Sequence, residues 1–242
     1  MQKITPEMFK AWMSMLSRTE GSVLWLLGNT DDTKARIKKA AEQAGIAPDR
    51  VIFASKKPNP DHLARYPLAD LFLDTFPYGA HTTAADAMWM GVPLLTISGR
   101  SFASRVCSSL VRAAGAADLI CPSVDAYIER AIAFAGDREG PAALRQRLAA
   151  GRDTCLLFDT PTLTRHLEDL FRQMWMDYRS GELPVPDLAN LDVYYEVGVE
   201  LALENAGALP DDAYRRRYEE RLSQRHQTYP MPADTRLWVH AD

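Results

Sequence analysis

Residues 70–99 read DLFLDTFPYGAHTTAADAMWMGVPLLTISG, and this stretch decides the fold. An apolar strand near Leu71–Asp74 runs into a loop containing Gly79. A helix opens at His81-Thr82-Thr83, and Gly91-Val92-Pro93 leads into a second strand at Leu94–Ile97. Strand, loop, helix and strand make one βαβ unit, whose ligands sit beyond the carboxyl ends of the strands. There the first turn of the helix directs N–H groups and a positive dipole end at one spot, which suits an anion. Two threonine hydroxyls and an imidazole stand at that spot, so the stretch reads as a phosphate site. Threonine is also a good N-cap, because its hydroxyl accepts an exposed N–H, and plain capping stands beside the ligand reading. Gly79 and Ala80, which leave room for close approach, tilt the balance towards a ligand. So does Asp86, one turn beyond Thr82 on the same face, where a carboxylate can accept ribose hydroxyls.

Working outward, Thr5-Pro6-Glu7 opens a helix, with Phe9, Trp12, Met13 and Leu16 recurring at helical spacing. Ser22–Leu27 is a continuous apolar run, expected to be a strand covered on both faces. A helix over Asp31–Gln43 and a strand at Val51–Ala54 follow. Beyond residue 99, a helix over Ser101–Ala114, a strand at Asp118–Cys121 and a helix from Pro122-Ser123 to Gly136 complete the alternation. Five strands and short connections predict a doubly wound, parallel-sheet, Rossmann-like α/β domain. From Pro141 the chain is expected to be helical. Leu163, Leu167, Leu170, Phe171, Met174, Trp175 and Tyr178 form an apolar stripe expected to be core. Residues 1–184 are assigned to the α/β domain with its closing helices, and 185–242 to a helical extension whose tail docks through Leu237, Trp238 and Val239.

His62 and Arg65 lie three apart on one face of a short helix, behind a loop fixed by Pro58 and Pro60. They are candidate contacts for a flat base, by stacking and hydrogen bonding, or else an ordinary surface pair. His166, His226 and His240 have no metal-ligand spacing and are assigned structural roles. GxGxxG, P-loop, GxSxG and HExxH patterns are all missing, and the missing P-loop argues against an NTPase.

The 242 residues carry 47% hydrophobic and 25% charged side chains with net charge −4, the composition of an ordinary globular protein. That charge argues against a nucleic-acid or polybasic membrane surface. No apolar run approaches the ~20 residues of a membrane helix. The three cysteines, Cys107, Cys121 and Cys155, suggest neither a disulfide framework nor a zinc site, so a cytoplasmic location is expected.

The stretch LFLDTFPYGAHTTAADAMWMGVPLLTISGRSFASRVCSSLVRAAG resembles the sugar-nucleotide-binding core of the protein O-GlcNAc transferase and SPINDLY family, glycosyltransferase family 41. KITPEMFKAWMSMLSRTEGSVLWLL, RVIFASKKPNPDHLARYPLAD and LEDLFRQMWMDYRSGELP resemble the same domain, so the likeness covers roughly Lys3 to Pro184. The resemblance implies a GT-B fold, of which this chain holds the second Rossmann-like domain. It implies inverting, metal-independent transfer of N-acetylglucosamine from UDP-GlcNAc to Ser or Thr of a protein acceptor. Carried over by residue, Lys3 matches a lysine on the donor diphosphate, and His81, Thr82 and Thr83 match the phosphate-binding trio. Asp86 matches the carboxylate on the ribose, and His62 and Arg65 match residues around the uracil. Lys3 and His81 are thereby the expected catalytic pair.

Two departures qualify the likeness. Asn59 stands where the family often has a lysine, for which Lys56 or Lys57 can substitute. The first catalytic domain and the tetratricopeptide region of the family have no counterpart in these residues, so the chain is expected to be inactive without such a partner. A non-catalytic nucleotide-sugar-binding module, or a relative using another donor such as GDP-fucose, remain as alternatives.

Overall fold

The computed structural model describes residues 3–28, 30–137, 139–182, 187–204, 206–234 and 238. Contacts divide the chain into two units, Met1–Arg165 and His166–Asp242. The boundary expected at residue 184 lies outside the described residues.

In the first unit five parallel strands alternate with helices. Strand β1 (Leu24–Leu27) pairs with β2 (Val51–Ala54), and Leu24 faces Val51 in register. In a second ladder β3 (Phe72–Leu73) pairs with β4 (Leu94–Ile97), which pairs with β5 (Ile120–Cys121). All four residues of β4 are buried, as expected of an apolar run in a parallel sheet covered on both faces. The expectation of two-sided cover for β1 is not met: Trp25 is 36% and Leu27 50% exposed, as is Ile52 of β2 at 43%. The link from β2 to β3 carries only the six-residue helix α3 (Asn59–Ala64) and a single 3-10 turn, too little to cover that face.

Helix starts follow the expected chemistry. The hydroxyls of Thr5, Thr30, Ser101 and Ser123 each accept the backbone N–H three residues on. They cap α1 (Pro6–Arg18), α2 (Asp31–Gln43), α5 (Phe102–Ala113) and α6 (Val124–Gly136), satisfying donors that lack intrahelical partners. Helix α4 (Thr82–Trp89) differs from these four: its N-cap, His81, makes no capping bond through its side chain. One hydrophobic core joins Met8, Trp12 and Leu16 of α1 to Leu94, Leu95, Cys107, Val111 and Tyr127. Burying each large apolar side chain there contributes about 1.5–3 kcal/mol before chain entropy is set against it.

Helix α8 (Thr160–Ser180) corrects another expectation. Its apolar face forms as the periodicity predicts, but no residue of it is buried. Leu170, Phe171 and Trp175 are 53%, 61% and 59% exposed. Periodicity fixes which face is apolar; it does not supply a cover.

The second unit has its own small core, in which Tyr194, Val197 and Leu201 of α9 (Leu191–Leu203) meet Leu222 of α10 (Asp211–Thr228), Met231 and Trp238. Buried Asp234 accepts hydrogen bonds from Asn190 Nδ2 (2.9 Å) and the Tyr194 hydroxyl, and Trp238 N donates to that hydroxyl at 3.0 Å. Thus Trp238 docks the tail, while Leu237, Val239 and His240 lie outside the described residues. His226 is structural: its Nδ1 accepts Met231 N at 2.9 Å and its ring lies 5.0 Å from that of Trp238. No helix among the described residues is long and apolar enough to cross a membrane.

Candidate functional site

The site is built on the carboxyl ends of β2 and β3. Strand β3 stops at Leu73, and Asp74 still donates its backbone N–H to Leu95 O (3.0 Å) before the chain leaves the sheet. Eight residues after Asp74, α4 begins. Its first turn exposes Thr82 and Thr83, whose side chains make no hydrogen bond among the described residues. Two free hydroxyls thus stand beside the N–H groups of a helix start, which have no intrahelical partner.

Lys3 reaches this point from the other end of the domain. Its Nζ donates to Gly79 O at 2.8 Å and lies 4.0 Å from the centroid of the Tyr78 ring. The Tyr78 ring stacks on His81, with centroids 5.7 Å apart and planes at 16°. Phe102, 79% exposed at the start of α5, makes a T-shaped contact with His81, with centroids 5.8 Å apart and planes at 86°. The imidazole therefore contacts two aromatic rings, and its Nε2 is buried without a partner among the described residues. An orphaned ring nitrogen next to a helix start is a group available to a ligand.

Gly79 serves a different purpose from the one expected. It is buried, and its N–H donates to Ala103 O at 2.9 Å. A Cβ there would meet Asp74 Oδ2 at 3.1 Å and Ala103 O at 3.3 Å. Glycine lets the loop pack down onto α5; it does not open space for a ligand.

His62 and Arg65 come together at the end of α3. Arg65 Nη2 donates to His62 Nδ1 at 2.5 Å, and Nη1 donates to Ser55 O at 2.8 Å, beyond the end of β2. The guanidinium also lies 5.9 Å from the centroid of Trp25. Because a guanidinium only donates, Nδ1 of His62 is the acceptor and its proton sits on Nε2, which has no hydrogen-bond partner among the described residues. Arg65 acts here chiefly as a strut that fixes the imidazole.

Tyr66 joins the two clusters and was not singled out from sequence. Its ring meets His62 edge-on at 5.1 Å, and its hydroxyl donates to Thr83 O at 3.5 Å. Burial, with the charge of Asp86 nearby, pushes the phenol up to about 12, so it stays a donor at neutral pH. Asp86, half-buried on α4, faces this region. Lys3, His81, Thr82 and Thr83 thus form one cluster, His62 and Arg65 a second, and Tyr66 with Asp86 stands between them. Tyr78 and Phe102 were also missed; an exposed aromatic in a loop carries no periodic signal. Asn59, Lys56 and Lys57 are exposed. Among the described residues no group of three His, Cys, Asp or Glu side chains is placed to hold a metal ion.

Residues 1–167 match the profile described as Glycosyl transferase family 41. The chain is 36% identical over 183 residues to a probable UDP-N-acetylglucosamine–peptide N-acetylglucosaminyltransferase, SEC, of Arabidopsis thaliana, covering 75% of this chain and 19% of that protein. It is 32% identical over 188 residues to the Caenorhabditis elegans UDP-N-acetylglucosamine–peptide N-acetylglucosaminyltransferase, covering 78% and 16%. Among solved structures it resembles an O-GlcNAc transferase of Thermobaculum terrenum, solved as a lysine-to-methionine mutant. The TM-score is 0.69 at 35% identity, covering 72% of this chain and 34% of that one. The chain spans about a fifth of the length of the curated relatives it matches.

Proposed function

This chain belongs to glycosyltransferase family 41, and from that premise we propose that it is the donor-binding half of an inverting protein O-linked N-acetylglucosaminyltransferase. In this reading the diphosphate of UDP-GlcNAc lies at the start of α4, against Thr82, Thr83 and His81, with the Lys3 ammonium beside it. Asp86 takes the ribose hydroxyls, and His62, held by Arg65, takes the uracil. The observation that carries the proposal is the convergence of Lys3, the orphaned His81 Nε2 and the open first turn of α4 around a single loop.

The chemistry follows from charge. When the bond from the sugar anomeric carbon to the UDP oxygen breaks, negative charge collects on the departing diphosphate. The acceptor hydroxyl attacks the opposite face of the sugar, giving inversion, and loses its proton. Lys3, the α4 dipole, two hydroxyls and an imidazole N–H are fixed donors aimed at that charge, the arrangement that lowers such a barrier most. On this reading the diphosphate is stabilised without a metal ion. Removing one such donor costs on the order of 10²–10³ in rate. The group that receives the acceptor proton is not assigned within this chain; we place it in the remainder of the catalytic region that the longer relatives possess.

The test is reconstitution. Supplied with the rest of a family member's catalytic region, the chain should transfer N-acetylglucosamine from UDP-GlcNAc to Ser or Thr of a protein. Lys3→Ala and His81→Ala should lose that activity with the fold intact. Full turnover in either variant contradicts the assignment. Donor binding without transfer favours a binding module, and preference for a GDP-sugar favours the alternative donor.

A further inference from the structure

The described structure holds a buried carboxylate that none of these roles uses. Asp74 is 3% exposed, at the point where β3 leaves the sheet. Its Oδ1 accepts two backbone N–H groups, from Thr75 at 2.8 Å and Ala80 at 2.6 Å. Its Oδ2 accepts the hydroxyl of Thr96 in β4 at 2.7 Å. No ion pair with a cation is found for it among the described residues. A buried carboxylate held only by neutral donors is costly, and a stretch of sheet end is closed more cheaply by apolar side chains. The question is what its geometry achieves.

Thr75 and Ala80 are the two ends of the loop that carries Tyr78 and Gly79, and one carboxylate oxygen holds both. Ala80 is the residue before His81, whose ring and backbone begin the α4 site. Between those ends the loop is folded by the Thr75 hydroxyl on Tyr78 O (2.7 Å) and pinned by Gly79 N on Ala103 O (2.9 Å). Lys3 and Thr5 hold the loop from outside, through Gly79 O and Phe76 O, but among the described residues only the Asp74 carboxylate bonds both its first and its last residue. Below, the backbone oxygen of Asp74 accepts the Tyr127 hydroxyl at 2.9 Å, which anchors the clamp to α6.

We propose that Asp74 is the positioning residue of the donor site, clamping both ends of loop 75–80 so that His81 and the first N–H groups of α4 are held in place before a ligand arrives. The residue touches no donor atom itself. It acts by sparing the ligand the entropy of ordering the loop, the usual gain from preorganisation. Burial holds its carboxyl above the usual carboxylate range, which fits a group retained for geometry in spite of its desolvation. The claim of a ligand-facing consequence rests on the donor-site reading above; the claim of a clamp does not.

The experiment compares three variants of the full chain. Asp74→Asn keeps an oxygen for Thr75 and Ala80 and turns an N–H₂ to Thr96. Asp74→Ala removes the clamp. Thr96→Val removes a bond to the same carboxylate at an equally buried position without touching the loop. Amide hydrogen exchange at residues 80–83 without ligand, UDP affinity by calorimetry and thermal midpoint are measured for each. Asp74→Ala should speed exchange at residues 80–83 and weaken UDP binding by about tenfold or more, the loss of one charge-assisted bond. Asp74→Asn should restore both to within about threefold. Thr96→Val should lower the midpoint and leave exchange and affinity unchanged. If affinity falls in step with the midpoint in all variants, or exchange at 80–83 is unmoved in Asp74→Ala, the clamp is overturned. If Asp74→Ala does not fold, Asp74→Ser, too short to span both ends, takes its place; failure of both to fold also overturns it, since the residue is then a stability element. Absence of UDP binding in the unaltered chain would instead contradict the donor-site reading, with the exchange result still judging the clamp.

Discussion

Tyr127→Phe is a demanding perturbation of this structure because it removes one oxygen and leaves the ring in place. Tyr127 is 0% exposed. Its hydroxyl donates to Asp74 O at 2.9 Å and accepts from Trp12 Nε1 at 3.4 Å, joining α6, the end of β3 and α1. Deleting the oxygen strands a buried carbonyl and a buried indole N–H, each costing about 1–3 kcal/mol. The 3.4 Å bond counts near the bottom of that range, giving a gross loss of about 2–4 kcal/mol. The hydroxyl's own desolvation, taken as about 1 kcal/mol, is recovered. The net destabilisation is therefore about 1–3 kcal/mol, which at about 2–4 °C per kcal/mol lowers the midpoint by roughly 2–12 °C. Urea unfolding followed by circular dichroism, with an unchanged slope, measures it directly. A free-energy change below about 0.5 kcal/mol would refute the account of how the site's base is tied to the core.

Three further outcomes follow from the same geometry. Gly99→Ala should destabilise by about 1–3 kcal/mol in urea unfolding, because the new Cβ meets Ser104 Cβ at 2.7 Å and a Phe76 ring carbon at 2.9 Å. Iodoacetamide labelling of the native chain near pH 8, read by mass spectrometry, should modify half-exposed Cys155 first. Burial raises the thiols of Cys107 and Cys121 and hides them, so they should react only on unfolding. Substituting Phe171 and Trp175 together by Ser should lower binding of a hydrophobic dye without lowering the thermal midpoint, since neither side chain is buried.

Much of the fold was readable because local chemistry and burial agree. Thr5, Thr30, Ser101 and Ser123 mark helix starts by a hydroxyl that accepts an N–H three residues on, and the sequence shows the hydroxyl directly. The run Leu94–Ile97 is buried throughout, and apolar but for Thr96, because both faces of β4 are covered. Other features depend on what lies across space. The stripe on α8 has the period of a core helix, but its cover belongs to tertiary structure and not to spacing. Trp25 and Leu27 read as interior for the same reason.

At the candidate site the division is similar. His81-Thr82-Thr83 was legible because a helix start is a local signal. Its supports were not. Tyr66 works through a T-shaped contact with His62 and a bond to Thr83 O, and Phe102 through a T-shaped contact with His81 across twenty-one residues. Asp74 reads as the polar end of a strand, and its three donors come from the loop that follows it and from β4. Gly79 was noticed for the wrong reason, because crowding beneath a loop and room above it both call for glycine.

The central claim is that the start of α4, with Lys3 and His81, holds the diphosphate of a uridine nucleotide. Isothermal titration of the chain with UDP tests it most directly, with GDP as competitor and Lys3→Ala and His81→Ala as controls. The account predicts saturable one-to-one binding of UDP, weak competition by GDP, and at least about tenfold loss in each variant. Absence of UDP binding, or equal binding by both variants with their folds intact, would contradict it.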